Sequence, residues 1–176
     1  MSSNGKYYFN KSELDKFHEN GYAGPFDLYE EDDMESSWNK VRRQLFDRSK
    51  AIYGDIHAKS GSTNIANYDR HLDVPFLSKH IVKNQIINRV ESVLGPNVLC
   101  WRTEFFPKHP GEEGTDWHQA DTFENISGTP QIVWPNGSDF GGTITVWCAF
   151  SDVTVDMAPL QFIPKTHNTM YYDESK

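Results

Sequence analysis

The apolar residues of this chain change their period at Gly95-Pro96. Before that point they recur every three to four positions, the repeat of a helix with one buried face. After it they alternate, the repeat of a strand. A mainly β chain with N-terminal helices follows: one domain over residues 1–176, with 1–95 helical and packing on the strands of 96–176. A chain of 176 residues is long enough to enclose a real core.

The first helix is expected over residues 11–19. Asn10 can cap it, Glu13 completes a capping box, Leu14 and Phe17 share a face, and Asn20-Gly21 ends it. A longer second helix is expected over 32–53, where Met34, Trp38, Val41 and Leu45 form one stripe and Gly54 can close the end. Glu30, Glu31, Asp32 and Asp33 precede Arg42, Arg43, Arg48 and Lys50, the order that suits the helix dipole. That basic cluster reads as a solvated face; its functional alternative is a docking patch for an acidic partner. Residues 60–75 carry Gly61, Asn64, Asn67, Asp69 and Pro75 and read as a long loop. One helix is expected over 76–94, with Ile86 or Ile87, Val90, and Val93 or Leu94 inward.

Strands are expected over 98–106, 116–123, 131–134, 143–151 and 160–163, broken by 107–114, Pro135-Asn136-Gly137 and Pro164. Short strands between such turns suggest a sandwich or a jelly roll. Aromatic residues reach 14%, and Trp101, Trp117, Trp134 and Trp147 all fall in this half, as strands and pockets would have it. No Gly-rich phosphate loop is present.

Composition removes several functions. With 17 basic and 25 acidic residues the net charge is −8, which argues against nucleic acid or a membrane surface as partner. The longest apolar run, Val146 to Phe150, is far too short to span a bilayer. Residues 1–9 lack the apolar stretch of a secretion signal. Cys100 and Cys148 are too few for a disulfide framework and read as small buried hydrophobes in a reducing cytoplasm. His18, His57, His80 and His109 read as surface residues.

The informative stretch is Thr115-Asp116-Trp117-His118-Gln119-Ala120-Asp121-Thr122-Phe123. On a strand, residues two apart point the same way at ~6.5–7 Å. A His with a carboxylate two positions later supplies two of the three ligands of a 2-His-1-carboxylate iron site. Here His118 is in place, but the later position is Ala120, whose methyl cannot ligate. Three readings stand. His118 is an ordinary hydrogen-bonded residue of a metal-free binding module. Or Asp116, two positions before it, supplies the carboxylate, or Asp121 does through a bulge. Or the ligand position is vacant and a halide fills it, which leaves the charge balance unchanged.

This stretch resembles the iron-site segment of the non-haem Fe(II), 2-oxoglutarate-dependent aliphatic halogenases of the phytanoyl-CoA dioxygenase superfamily, nearest to their threonine and 2-aminobutyrate branches. The likeness extends over Asn64-Ile65-Ala66-Asn67-Tyr68-Asp69-Arg70-His71-Leu72 and Leu94-Gly95-Pro96-Asn97-Val98-Leu99-Cys100-Trp101-Arg102-Thr103-Glu104-Phe105-Phe106. It continues through Phe140-Gly141-Gly142-Thr143-Ile144-Thr145-Val146-Trp147 and Leu160-Gln161-Phe162-Ile163-Pro164.

The resemblance implies a double-stranded β-helix (a cupin-like jelly roll), incomplete in this chain. It implies His118 as an iron ligand and Ala120 as the open position where chloride meets the iron. Phe123 walls the chloride pocket and borders the substrate, while Asn125 and Thr145 add polar groups. Thr115 and Trp147 contact 2-oxoglutarate, and Glu104 faces the substrate channel, where it can hold an amine. Cofactors are Fe(II), 2-oxoglutarate, chloride and O2. The implied reaction is chlorination of an unactivated carbon of an amino acid thioesterified to a carrier protein, in nonribosomal peptide biosynthesis. The family's second iron His and its 2-oxoglutarate Arg lie beyond residue 176, so the chain looks like an N-terminal portion and is expected to be inactive alone. His167 is rejected as a substitute ligand and reads as a loop residue near the site's rim; His71 is unassigned.

Overall fold

A computed structural model describes residues 5–47, 49–52, 68–119 and 142–169. Its helices are α1 (Lys11–Asn20), α2 (Glu31–Phe46), α3 (Pro75–Ile81) and α4 (Asn84–Leu94), with short 3-10 turns at Arg70–Leu72 and Val155–Met157. Helix α1 forms as its caps dictate. Asn10 accepts from the Glu13 N–H, Glu13 returns the bond to the Asn10 N–H, and Gly21 closes the end at φ 85°.

Helix α2 keeps the expected stripe, with Val41 buried and Trp38 and Leu45 packed beside it. It stops at Phe46, well short of residue 53. The cause is Arg70, which is fully buried. Its Nη1 donates to Leu45 O at 3.0 Å, and its Nη2 to Gln44 O at 3.2 Å and Asp47 O at 2.8 Å. Nε and Nη2 also clasp the Asp73 carboxylate at 2.8 and 2.9 Å. The carbonyls that would continue or fray the helix end thus converge on one planar fork. Gly54, the expected cap, and residues 60–67 of the expected loop lie outside the described residues; the loop's later part is not irregular but holds the Arg70–Leu72 turn.

The single helix expected over 76–94 is two. Val82 leaves the helix at φ −100°, ψ 12°, and Lys83 is extended at φ −63°, ψ 137°. The break serves two different packings. Helix α3 turns Leu77 and His80 into the core. Helix α4 takes the N-terminal segment, where the Tyr8 hydroxyl donates to Glu91 and the Phe9 N–H to Ser92 Oγ. Lys83 at the junction lays its ammonium over the Tyr29 ring at 4.0 Å.

The core is Val41, Val74 and Leu77, ringed by Trp38, Leu45, Phe76, Phe105 and Phe150. Phe150 meets Trp38 and Phe105 at 5.6 Å each and His80 at 5.2 Å between ring centroids. The helices are joined to the later segments through these rings.

Among the described residues none of the expected strands 98–106, 116–119, 143–151 or 160–163 forms a ladder. A strand is defined by its neighbour, and the neighbour Thr103 finds is a loop residue: Asp69 N–H donates to Thr103 O at 2.8 Å. The alternation survives partly. Ile144, Cys148 and Phe150 are half-buried while Thr143, Thr145, Trp147 and Ala149 are exposed, with Val146 the exception. In the first segment Thr103, Glu104 and Phe105 are successively half-buried, which no strand period gives. Residues 120–123 and 131–134 lie outside the described residues. No helix among the described residues is long and apolar enough to cross a membrane.

His80, read as a surface residue, is buried at 7% exposure. Its ring lies 9° from parallel with Tyr29, and its Nδ1 meets the Tyr29 hydroxyl at 3.0 Å. Cys100 is exposed rather than buried, and Cys148 is intermediate.

Two outcomes follow. Arg70→Ala strands Asp73 and three carbonyls and is expected to cost about 3–5 kcal/mol in chemical denaturation. Arg70→Lys recovers little, because an ammonium cannot span that fork. Separately, burial and then the Lys83 charge lower the His80 pKa from 6.5 to about 4. Between those values only the unfolded chain takes up the proton, so stability is full above about pH 6.5 and drains as pH falls toward 4. The loss amounts to roughly 3 kcal/mol. His80→Phe should flatten that limb of the stability–pH curve; an unchanged slope would assign it to other groups.

Candidate functional site

His118 sits on an exposed segment without regular secondary structure, and its Nδ1 lies 2.9 Å from the Asp116 carbonyl oxygen. A carbonyl can only accept, so Nδ1 carries the proton. In the neutral ring the lone pair is then on Nε2. That is the tautomer a metal-ligating His adopts when a backbone oxygen orients it. The sequence spacing His118–Asp116 is therefore used by the main chain of Asp116. Among the described residues no three His, Cys, Asp or Glu side chains gather into a metal-binding group. His118 fits one position of an iron site, and the described residues do not complete it.

The other candidate residues fall into three groups. Ala120, Asp121, Phe123 and Asn125 lie outside the described residues. Thr115 is exposed, and Lys108 Nζ reaches its hydroxyl at 3.3 Å and the Glu113 carbonyl at 3.1 Å. This brings a cation to a residue expected to touch a dicarboxylate. Thr145 and Trp147 share the exposed face of their segment, opposite Cys148, whose thiol burial pushes up to about 11.

Glu104 is half-buried, and burial holds its carboxyl above the usual range, against a Tyr68 hydrogen bond and the Arg102 charge. Its position is fixed by its neighbour. Thr103 is bracketed by the 68–71 turn: its N–H donates to Asp69 Oδ1 at 2.9 Å, and its hydroxyl meets His71 Nδ1 at 2.7 Å. Asp69 holds the left-handed conformation at φ 54°, which a short polar side chain tolerates. His71, left unassigned from the sequence, is thus a buried link between turn and segment.

Sequence reasoning missed Asp69, Arg70 and Gln119. The Arg70–Asp73 spacing of three was a signal for Arg70; Asp69 answers to Thr103, which no local spacing marks. Gln119 donates from Nε2 to Thr166 O at 3.1 Å and Thr169 O at 2.8 Å, across a separation no local pattern reveals. His167 spends Nε2 on the His18 carbonyl at 3.1 Å, on the side of α1.

Comparison with known proteins adds the following. Residues 17–176 match the family described as Phytanoyl-CoA dioxygenase (PhyH). A solved structure of CytC3 is similar with 49% identity and a TM-score of 0.79, covering 97% of this chain and 62% of that one. CytC3 with Fe(II) and alpha-ketoglutarate is similar with 48% identity and a TM-score of 0.78, over the same shares. The chain thus shares the fold of those structures and spans 62% of their length. A search of curated proteins finds no match.

Asp69→Asn keeps the oxygen that receives the Thr103 N–H and should change stability little. Asp69→Ala removes it and strains a left-handed residue, and is expected to cost about 1–3 kcal/mol in urea denaturation. Equal effects of the two would mean that this bond does not hold the turn.

Proposed function

The chain belongs to the phytanoyl-CoA dioxygenase (PhyH) family, and from that premise we propose that it carries the iron-site segment of an Fe(II)/2-oxoglutarate-dependent halogenase. The observation that carries this reading is His118. The Asp116 carbonyl holds the proton on Nδ1, the tautomer that a metal-ligating His adopts, and the residue two positions on is Ala120 rather than an acid. Similarity to CytC3 with Fe(II) and alpha-ketoglutarate supports the iron and the co-substrate. The jelly-roll architecture belongs to the same reading, and so does kinship with the threonine and 2-aminobutyrate branches.

With iron bound, O2 and the decarboxylation of 2-oxoglutarate to succinate and CO2 supply the oxidising power to replace hydrogen by chlorine on an unactivated carbon. The protein's part is positional. His118 would supply one ligand to the metal, and the Asp116 carbonyl keeps its ring from turning. Ala120 offers no ligand, so a chloride takes the place without changing net charge. By the same resemblance Phe123, Asn125 and Thr145 would border the halide. Thr115, with Lys108 behind it, and Trp147 receive 2-oxoglutarate. Glu104 orients a substrate amine, so that the carbon to be chlorinated lies within reach of the halide. Displacements near 1 Å in such placement are costly.

The substrate is an amino acid tethered to a carrier protein. An overall charge of −8 gives no general attraction to an acidic carrier. Docking therefore falls to the basic end of α2, where Arg43 and Lys50 border a cleft with Asp47 and Asp73.

Anaerobic titration of the full-length protein with Fe(II) and 2-oxoglutarate, with and without chloride, tests the reading. A visible charge-transfer band that shifts with chloride, and a product heavier by chlorine for hydrogen, are expected. Ala120→Asp should abolish chlorination by filling the halide's place. A band insensitive to chloride with a hydroxylated product would favour Asp116 or Asp121 as ligand. No band at all would leave a metal-free binding module.

A further inference from the structure

We propose that Gln119 is the positioning residue for His118, strapping the metal-ligand segment to the loop 163–169 that helix α1 holds in place; the proposal rests on the reading of His118 as an iron ligand. His118 is exposed, so core packing contributes little to its aim. Gln119 is the next residue and is half-buried. With His118 exposed and Gln119 half-buried, a restraint on Gln119 holds the segment from its inner side, next to the residue that carries the imidazole. Its amide nitrogen has two N–H groups, and both find carbonyls: Thr166 O at 3.1 Å and Thr169 O at 2.8 Å.

The receiving loop is itself anchored. Within it, Thr166 Oγ1 donates to Ile163 O at 2.8 Å. Toward α1, the Lys165 N–H donates to Asn20 O at 3.1 Å, and Lys165 Nζ pairs with Glu19 at 2.6 Å. His167 Nε2 donates to His18 O at 3.1 Å, and Phe162 stacks on Tyr22 at 4.7 Å. The fit at Gly21 is close: a Cβ there would lie 2.5 Å from the His167 ring. Its φ of 85° also favours glycine. Helix α1, far from His118 in sequence, is thereby connected to it through one amide. From the other side, the Asp116 carbonyl fixes the ring itself.

The chemistry of Gln119 is specific. Glutamate has the same length and shape but, ionised, only accepts, so it would face two carbonyl oxygens. Gln119→Glu is the test, with His167→Ala loosening the far end of the strap as second variant. In the metal-free full-length protein, hydrogen–deuterium exchange over 115–119 and 163–169 is expected to quicken in both variants. Fe(II) affinity is expected to fall on the order of ten- to a hundredfold in Gln119→Glu, and less in His167→Ala. At saturating iron, the charge-transfer band with 2-oxoglutarate is expected to shift in Gln119→Glu. A merely stabilising role would lower Tm and leave iron affinity and band as they were. Unchanged exchange over 115–119 refutes the strap with no metal involved. Unchanged iron affinity with quickened exchange refutes the positioning role. If the unaltered protein shows no iron band, the iron reading fails, and the positioning role with it, while the exchange comparison still decides the strap. Should Gln119→Glu not fold, His167→Ala decides by the same readings.

Discussion

The guanidinium of Arg70 is the constraint on which the rest of the described structure depends. It is fully buried, and it gathers the end of α2 and the Asp73 carboxylate around one plane. A buried charge pair of this kind gains little over apolar packing, because desolvation offsets most of the attraction. What it supplies is direction. An apolar residue of equal volume could fill the space, but it could not require three carbonyls and a carboxylate to meet there. With Arg70 in place the 68–73 turn has one position relative to α2. Asp69 and His71 on that turn then set Thr103, and with it Glu104.

A second tie runs through aromatic rings. Phe150 brings the later half of the chain against Trp38 and Phe105, and His80 closes the cluster as a neutral ring stacked on Tyr29. Keeping that imidazole neutral is what makes it serve as an aromatic, and its low pKa is the electrostatic trace of that use. Lys83 adds to it, since its charge near the ring further disfavours protonation while its own stabilisation comes from the Tyr29 face. The break between α3 and α4 follows from the same cluster: a continuous helix would carry Lys83 and His80 on a rotation that α4 cannot share with its contacts to Tyr8 and Phe9.

Features encoded locally were legible in the sequence, and those encoded by distant partners were not. The capping box at Asn10 and Glu13 and the glycine stop at Gly21 need no residue outside α1, and they formed as written. The stripe of Trp38, Val41 and Leu45 likewise declared its own buried face. The end of α2 did not, because the group that ends it arrives from residue 70. Period-two patterning announced an inward face at Ile144, Cys148 and Phe150, yet a ladder needs a second segment, and for Thr103 the nearest partner is a turn. Of the candidate site, the motif around His118 was visible as residue types at a spacing. The tautomer of its ring and the hold on Gln119 were not, since both are set by carbonyl oxygens, which every residue has and no sequence distinguishes.

On the proposed reading of His118, an exposed side chain would have to serve as a dependable ligand. A metal ligand must keep its lone pair aimed within narrow limits, and a side chain on an exposed segment has no core to enforce them. Backbone carbonyls can do so instead: Asp116 O sets the ring, while Thr166 O and Thr169 O receive Gln119. These acceptors are insensitive to side-chain substitution, so their aim depends on where the main chain runs. For the loop 163–169 that is decided at the C-terminal end of α1, by Glu19, Asn20 and a glycine against which His167 packs. The N-terminal helix is thus not an appendage to the segment around His118; it fixes the loop to which Gln119 ties that segment.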